Sequence, residues 1–356
     1  MGFFKNLLHG TAHTVTAEPS GRQFTVARNQ SILEAALAQG IAFPHSCTVG
    51  TCGSCKCRLL SGKIREIANF GYVLSAEELQ NQVILACQAA AKTDLTLEVP
   101  GLSDKQLHPA QDFNGVVREI TDLTHDIKRI TLELDRPLYF DAGQYAHLTV
   151  PEVWGARAYS FAIPPAAEGN AQVSFFIRRI PGGAFTEWLF DTDRSGQSFE
   201  VHGPTGNFWL RPSRAPMIGI AGGSGLAPLL SILRDAVARQ VGRPCTVLFG
   251  ARAERDLYAL DELAEIGRGW NGSFNFLPVL SDLPADSTWT GARGLVTAQI
   301  DRACAGLLVD DAEAYLCGPP PMVDAAIGEL TARGLAPQNI HFDKFLDGSH
   351  GLQRQG

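Results

Sequence analysis

Four cysteines carry the clearest chemical signal in the chain, because their spacing is that of ligands to a metal cluster. Cys47, Cys52 and Cys55 lie in one short loop, and Cys87 follows thirty-two residues after Cys55. Four residues separate the first pair and two separate the second, which is the ligand spacing of a [2Fe–2S] cluster of the plant type. A glycine lies between the members of each pair, where the missing Cβ lets backbone N–H groups approach the sulfurs. The loop therefore predicts an iron–sulfur site.

A structural zinc site and a disulfide framework are the alternatives. Zinc sites more often combine two short cysteine pairs, whereas the second half of this pattern has one cysteine and no nearby histidine. Eight cysteines in 356 residues are sparse for a disulfide framework, and residues 1–10 do not have the pattern of a signal peptide. Cys57, two residues after Cys55, is expected to be a buried thiol and not a ligand.

Two further motifs could bind a phosphorylated aromatic cofactor. In Arg157-Ala-Tyr159-Ser160, arginine offers a fork of donors to phosphate, tyrosine a flat face to a ring, and serine a small hydroxyl. In Gly182-Gly183-Ala-Phe-Thr186, two glycines open a predicted helix whose free N–H groups could hold an anion. Either motif alone is weak, because a glycine pair before a helix is most often a turn.

A third region has the pattern of a dinucleotide site. An apolar strand, residues 217–221, runs into Gly222-Gly223-Ser224-Gly225 and then into a helix, which presents a helix N-terminus to a pyrophosphate. The glycine spacing differs from G-x-G-x-x-G, so it is not that fingerprint. A later strand ends in Cys317-Gly318-Pro319, where the thiol would face the crevice at the carboxyl edge of the sheet. A small apolar filler is the alternative interpretation of Cys317.

The composition is that of a globular chain with several domains. A length of 356 residues exceeds the size at which single cores stop growing. The chain is 45% hydrophobic and 19% charged and contains no apolar run long enough to span a membrane, so we expect a cytoplasmic protein. A net charge of −7 argues against binding to nucleic acid. We expect the chain to be monomeric on its own.

The elements that must position these residues change in character along the chain. A hairpin over 11–26, a helix capped by Ser31 and Glu34, and a closing strand at 95–99 surround the cysteine loop. A polar linker is predicted over 100–112. Short β-patterned segments at 113–120, 127–134, 144–150 and 172–179 then suggest a small antiparallel barrel. Alternating strands and helices from 214 onward predict a doubly wound parallel sheet.

The cysteine segment resembles a plant-type ferredoxin with its β-grasp fold. That resemblance implies a one-electron carrier with Cys47, Cys52, Cys55 and Cys87 as its ligands. The two phosphate motifs together resemble the flavin barrel of the ferredoxin-NADP reductase superfamily. It implies that Arg157, Tyr159, Ser160, the pair Gly182 and Gly183, and Thr186 contact a flavin, with Arg178 or Arg179 assisting, and it favours FAD over FMN.

In the same superfamily, Cys-Gly-Pro-Pro lies beside the site of hydride transfer and an aromatic C-terminal strand returns to the flavin. The resemblance therefore places Cys317 next to the nicotinamide and Ser160 near flavin N5. It makes Phe345 a candidate flavin neighbour, with a core strand position as the alternative. The glycines at 222, 223 and 225, with Gly318 and Pro319, are the expected nicotinamide-nucleotide contacts.

All three modules in this order resemble the reductase component of bacterial multicomponent oxygenases, such as those of phenol hydroxylase, toluene and methane monooxygenases and carbazole dioxygenase. The implied fold is multidomain. It combines an α+β β-grasp ferredoxin domain at 1–104, an antiparallel β-barrel FAD domain at 105–212, an α/β doubly wound NAD(P)H domain at 213–346, and a tail at 347–356.

The implied function is electron transfer from NADH through FAD and the [2Fe–2S] cluster to a terminal oxygenase of the di-iron or Rieske type. NADH gives up two electrons as hydride whereas such an iron centre accepts them singly, so a flavin is needed between them. The same relay could instead serve a deoxysugar dehydratase or a desaturase, and a zinc-binding scaffold is the alternative from another class.

The choice of nicotinamide depends on residues after the strand at 245–249. A 2′-phosphate attracts cationic groups, whereas a free ribose prefers a carboxylate. Glu254 and Asp256 favour NADH, and Arg252 and Arg255 keep NADPH possible.

Overall fold

The computed structural model describes residues 12–45, 48–102, 105–284, 286–304, 306–307 and 311–345. The predicted ligand Cys47 and the predicted tail at 347–356 lie outside the described residues. Contacts divide the chain into two compact units, Met1–Ala110 with Thr205–Asn207 and Gln111–Pro204 with Phe208–Gly356. Among the described residues, no helix combines the length and the apolar character needed to cross a membrane.

The first unit is a five-stranded mixed sheet with a helix packed on it. The strand order is β2-β1-β7-β3-β5, in which only the β1–β7 pair is parallel. One face of α1 is buried in the same apolar core as the strands, which gives the predicted α+β β-grasp fold. The strands are β1 (His13–Glu18), β2 (Arg22–Val26), β3 (Lys56–Ser61), β4 (Ile64–Glu66), β5 (Val83–Leu85), β6 (Ala89–Ala91) and β7 (Leu95–Glu98), and the helices are α1 (Ile32–Ala38) and α2 (Ala76–Gln80).

Both serines that were predicted to cap helices in this unit accept the expected backbone N–H. At α2 the capping box is complete, since the Ser75 hydroxyl accepts from the Glu78 N–H and the Glu78 carboxylate accepts from the Ser75 N–H. At α1 the Ser31 hydroxyl accepts from the Glu34 N–H at 3.1 Å. These caps fix the ends of the two helices that flank the cysteine loop.

The second unit begins with a six-stranded antiparallel sheet that closes into a barrel. The strand order is β11-β10-β13-β8-β9-β12, and an isolated bridge between Phe161, just after β11, and Phe175 in the middle of β12 connects the first strand of this order to the last. Strand β8 starts at Gln111, so the predicted linker at 100–112 extended two residues too far. The elements are β8 (Gln111–Asp122), β9 (Ile127–Leu138), β10 (Tyr145–Val150), β11 (Val153–Ser160), β12 (Asn170–Arg178), α3 (Ala184–Asp191) and β13 (Ser198–Thr205).

A six-stranded parallel sheet forms the rest of this unit, in the order β17-β16-β15-β14-β18-β19. It is the predicted doubly wound α/β arrangement, and its carboxyl edge collects the ends of β14, β15 and β18. The elements are β14 (Met217–Gly222), α4 (Leu226–Ala238), β15 (Cys245–Ala251), α5 (Leu260–Gly269), β16 (Phe274–Leu280), β17 (Ala292–Arg293), α6 (Ile300–Ala303), β18 (Glu313–Gly318), α7 (Pro320–Ala332) and β19 (Ile340–Lys344).

Barrel and parallel sheet share an apolar core. Ile127 and Phe176 from the barrel belong to the same buried cluster as Leu229 and Leu233 of α4 and Phe249 of β15. The predicted flavin module and the predicted nicotinamide module therefore form one compact unit, in which residues of one module contact residues of the other. The predicted boundaries at 104/105 and 212/213 remain predictions.

Candidate active site

The cysteine loop brings two of the predicted ligands together. Cys55 follows the loop and Cys87 lies in a short 3₁₀ helix after β5, and their sulfurs are 3.3 Å apart with both residues buried. Cys52 is half-buried, and its sulfur accepts a hydrogen bond from the Ser54 N–H at 3.4 Å. Two adjacent thiols and a third that receives a backbone N–H form a sulfur donor set suited to a [2Fe–2S] cluster.

The close packing of this loop requires glycine at position 50. Gly50 has a φ of +83°, and a Cβ there would lie 2.6 Å from Cγ of Gln88, the residue after Cys87. Only glycine allows the loop to approach this segment so closely. Cys57 is buried, as predicted, and burial together with the Cys55 thiol raises its pKa.

The predicted flavin strand is β11. Tyr159 packs against Phe185 of α3 with ring centroids 5.6 Å apart, and burial raises the pKa of its hydroxyl. The Arg157 guanidinium donates to the carbonyl of Ala156 at 3.0 Å. Of its five N–H donors, this bond uses one, so others remain for a phosphate. A flat ring beside a donor-rich guanidinium fits a flavin with its phosphate chain.

The glycine pair before α3 shapes a turn at the helix N-terminus. Gly183 is the N-cap, and Thr186 is buried with its hydroxyl engaged inside the turn by the N–H and C=O of Ile180 and by the Gly183 carbonyl. The threonine hydroxyl thus stabilises the turn. The Gly183 N–H donates to the Ile180 carbonyl at 2.8 Å, so the donors suited to an anion are the N–H groups of the first residues of α3. Gly182 donates its N–H to the Glu187 carboxylate at 3.4 Å.

Two predicted catalytic residues meet at the junction of barrel and parallel sheet. Ser160 ends β11 and donates to Oδ2 of Asp343 at 3.5 Å. Asp343, on β19, is the register partner of Cys317 on β18, and Cys317 is fully buried. Burial raises the pKa of Asp343 to about 6, opposed by the hydrogen bond from Ser160. Burial, and secondarily Asp343, raises the pKa of the Cys317 thiol, which stays neutral. We refer to these three residues as the Ser160–Asp343–Cys317 cluster.

The predicted glycine turn lies directly beside this cluster. Gly225 packs so closely on β18 that a Cβ would lie 2.3 Å from the Cys317 carbonyl oxygen. The Tyr258 hydroxyl donates to the Gly223 carbonyl at 2.8 Å and holds the turn in place. At the end of β18, the Phe345 N–H donates to the Gly318 carbonyl at 2.9 Å, so Phe345 lies beside the strand end. The N-terminus of α4 therefore opens next to the cluster.

A groove of about 200 Å³ runs along this edge. Its walls include Gly222, Gly223 and Pro319 from the sheet and Arg178 from the barrel. Nη1 of Arg178 lies 3.5 Å from the position that a Cβ on Gly223 would occupy. Arg178, predicted as a possible flavin contact, therefore lies beside the glycine turn of the nicotinamide region. Arg179 is paired with Glu187 and Asp191.

Sequence reasoning did not identify several residues at this site. Asp343 lies in the predicted C-terminal strand, but its position opposite Ser160 depends on a contact between residues 183 positions apart. Tyr258 and Asp126 are further examples, and each acts through a partner in another element. The only sequence signal for Asp343 was a carboxylate directly after the aromatic residue Phe342 in the predicted C-terminal strand.

Comparison with known proteins identifies the class of molecule first. Three family models match in order: a 2Fe-2S iron-sulfur cluster binding domain at residues 15–92, an oxidoreductase FAD-binding domain at 114–209 and an oxidoreductase NAD-binding domain at 220–327. The chain is an iron–sulfur flavoprotein oxidoreductase that uses a [2Fe–2S] cluster, FAD and NAD(H).

Curated relatives identify the family. The chain is 41% identical to the xylene/toluene monooxygenase electron transfer component XylA of Pseudomonas putida, over 94% of each chain. It is 36% identical to the phenol 2-monooxygenase reductase component DmpP of Pseudomonas sp. strain CF600, over 96% of each. The crystal structure of the Amycolatopsis cytochrome P450 reductase GcoB is similar with a TM-score of 0.79 and 37% identity, covering 94% of this chain and 98% of that one. The protein belongs to the family of oxygenase reductase components, as its sequence predicted.

Proposed function

We propose that this chain takes electrons from NADH and delivers them singly to a terminal oxygenase. The observation that carries the proposal is the Ser160–Asp343–Cys317 cluster, in which a barrel strand end and the carboxyl edge of the parallel sheet are joined at 3.5 Å. A flavin ring on β11 and a nicotinamide at the end of β18 would then lie against the same side chains.

The cofactors supply the redox chemistry, since FAD can accept a hydride and release single electrons, and a [2Fe–2S] cluster carries one electron at a time. The chain's residues bind and orient these groups. Cys47, Cys52, Cys55 and Cys87 are the proposed cluster ligands. Arg157 and the N–H groups of the first residues of α3 would hold the flavin phosphates, with Gly182, Gly183 and Thr186 shaping the turn that leads into the helix.

Residues on both sides of the junction then orient the reacting rings. Tyr159 and Phe345 would contact the flavin, and the Ser160 hydroxyl would donate toward flavin N5 when it leaves Asp343. Cys317 is small, neutral and buried, so it can pack against the nicotinamide without placing a charge there. Closing such a site against water favours hydride transfer over side reactions.

The nicotinamide nucleotide would be held along the glycine turn. Gly222, Gly223 and Gly225 open α4, whose N-terminal N–H groups suit a pyrophosphate. Arg178 adds a cationic fork at the same turn. Gly318 and Pro319 form the rigid lip opposite.

The proposed acceptor is the oxygenase component of a multicomponent system, of the di-iron or Rieske type. A cytochrome P450 is a second candidate acceptor, because GcoB, described as a cytochrome P450 reductase, is similar in sequence and fold over nearly its full length. The docking face would be the loop from Thr48 to Ser54, in which Val49 is 61% exposed next to the cysteine ligands. An exposed apolar residue beside a redox centre suits a transient partner.

Cys52→Ser tests the order of the relay. Ferricyanide can take electrons from the flavin, whereas cytochrome c, as a one-electron acceptor, is expected to draw on the cluster. We expect Cys52→Ser to retain NADH–ferricyanide activity and to lose most NADH–cytochrome c activity. Cys57→Ala, which changes a buried neighbour that we do not assign as a ligand, should retain both. Equal losses with both acceptors in Cys52→Ser would contradict the proposed order.

A further inference from the structure

Asp126 joins the barrel to the nicotinamide groove through two arginines. It lies in the turn between β8 and β9, where the Thr124 hydroxyl donates to its Oδ1 at 2.9 Å. Its Oδ2 accepts from Nε of Arg178 at 3.0 Å and from Nη2 of Arg252 at 3.0 Å. The Asp126 side chain is 16% exposed, whereas those of Arg178 and Arg252 are 32% and 49% exposed, so a partly desolvated carboxylate holds two arginines at the edge of the groove.

Arg252 is held by a second carboxylate. Its Nη2 also donates to Oδ1 of Asp256 at 3.2 Å, and the other oxygen of Asp256 accepts from the Ala253 N–H at 2.9 Å. His125 lies 3.6 Å from the same Oδ1. The groups lining this part of the groove are therefore two guanidinium groups balanced by two carboxylates.

The Asp126–Arg252 pair lies where it can affect the choice between NADH and NADPH. Arg252 follows the end of β15, the strand next to the glycine-turn strand β14 in the parallel sheet. At the end of that strand a dinucleotide sheet meets the adenosine ribose, and an arginine there can bind the 2′-phosphate of NADPH. Arg252 is turned toward Asp126 and Asp256, so a 2′-phosphate would have to displace a carboxylate and would meet the remaining negative charge.

We propose that Asp126, a barrel residue outside the parallel sheet, is a positioning residue that sets the preference for NADH over NADPH. It does so by holding Arg252 and cancelling its charge, so that the Arg252 guanidinium is not available to a 2′-phosphate. The proposal rests on the proposed function, because it assigns the nicotinamide nucleotide to this groove. It extends the sequence argument, which placed the preference in residues 252–256 alone.

Asp126→Asn tests the proposal because the amide keeps the side-chain size and an oxygen for the Thr124 hydroxyl while removing the charge. In the holoenzyme, we expect kcat/KM for NADPH to rise about 10-fold relative to that for NADH, mainly through a lower KM, since an arginine would be released for a phosphate. As a readout without turnover, inhibition by 2′,5′-ADP should tighten by a similar factor while inhibition by 5′-ADP changes little.

Two further variants separate positioning from a general effect. Asp122→Asn removes an exposed carboxylate from the same hairpin, one that pairs with Lys128 at 2.7 Å, and should leave the NADH/NADPH ratio unchanged. In Asp126→Asn with Arg252→Gln, the gain with NADPH and 2′,5′-ADP should disappear.

The outcomes distinguish this inference from the proposed function. If Asp126→Asn lowers kcat/KM for both nucleotides by the same factor, or if the gain survives loss of Arg252, the positioning role is overturned. If neither nucleotide reduces the flavin of the unaltered protein, the proposed function itself fails.

Discussion

At the scale of single residues, Asp343 connects the two halves of the proposed reaction site. Its side chain accepts a hydrogen bond from Ser160 of the barrel, and its backbone is paired with Cys317 of the parallel sheet. A carboxyl group whose pKa is raised by burial can hold a proton near neutral pH, which is a property that reactive sites use.

Replacing Asp343 with Asn should change how stability depends on pH. The pKa of Asp343 is raised from 3.8 to about 6, so the folded state binds a proton that the unfolded state has lost between these values. Stability from this group is therefore full below about pH 4 and is lost as the pH rises through 6. We expect Asp343→Asn to raise the thermal midpoint relative to the unaltered protein more at pH 7.5 than at pH 5. A constant difference across this range would show that Asp343 does not titrate there.

Removing the Ser160 hydroxyl should slow reduction of the flavin without loss of FAD. The hydroxyl is the polar group nearest the proposed hydride path, and one positioned donor typically contributes about 10²-fold or more to a rate. Stopped-flow reduction of Ser160→Ala by NADH measures this step directly. Ser174→Ala is a matched control, because Ser174 is also buried in the barrel but its hydroxyl bonds Thr131 at 2.9 Å, and this variant should react normally.

At the scale of elements, the close approach of α4 to β18 determines where the glycine turn lies. A Cβ on Gly225 would overlap the Cys317 carbonyl at 2.3 Å, so Gly225→Ala must push the helix N-terminus away from the strand end. We expect a loss of ~1–3 kcal/mol in the free energy of unfolding, typical of overpacking, and a higher KM for NADH. Denaturant titration and steady-state kinetics measure the two effects.

The matched control for this test is Gly328→Ala. Gly328 lies inside α7, and apart from neighbouring atoms of that helix no atom lies within 4 Å of the position that its Cβ would occupy. Because alanine has a higher helix propensity than glycine, this variant should be more stable by about 0.5–1 kcal/mol with unchanged KM. Similar behaviour of the two variants would contradict the role given to the Gly225 contact.

The sequence predicted the elements with strong local signals, but one strand of the barrel was missed. The capping box at Ser75 and the apolar face of α4 are local patterns, and both elements are present. Strand β13 was not predicted, although Phe199 and Val201 alternate with polar residues and both are buried. It lies between β10 and β8, so the barrel has a central strand that the sequence analysis did not assign.

The site residues, too, were predicted where their signal is local and were missed where it depends on contacts distant in sequence. Cysteine and glycine spacings are local, so they indicated the cofactors. The Ser160–Asp343 bond and the Asp126 bridge to Arg252 join residues 183 and 126 positions apart, and no local pattern reports such contacts. Asp256 was one of two carboxylates from which a preference for NADH was predicted, and in the structure it caps a short 3₁₀ helix and accepts a hydrogen bond from Arg252.

At the scale of the whole molecule, the redox groups are distributed over two units that each have a core. The first unit has its own apolar cluster, which includes Phe24, Ile32 and Leu97 and two proposed cluster ligands, Cys55 and Cys87. The proposed flavin and nicotinamide residues all lie in the second unit. A ligand stabilises the structure to which it binds, so each cofactor should stabilise its own unit.

Removal of iron should therefore lower the midpoint temperature of one unfolding transition and leave that of the other unchanged. We expect calorimetry of the full chain to resolve two transitions. Anaerobic chelation of the iron should lower the midpoint of one of them by several degrees, since loss of a metal removes binding free energy from the folded state. Added FAD should raise only the other. The chelated protein should retain NADH–ferricyanide activity, which requires the second unit alone. A single transition that responds equally to iron and to FAD would mean that the two units unfold as one cooperative structure.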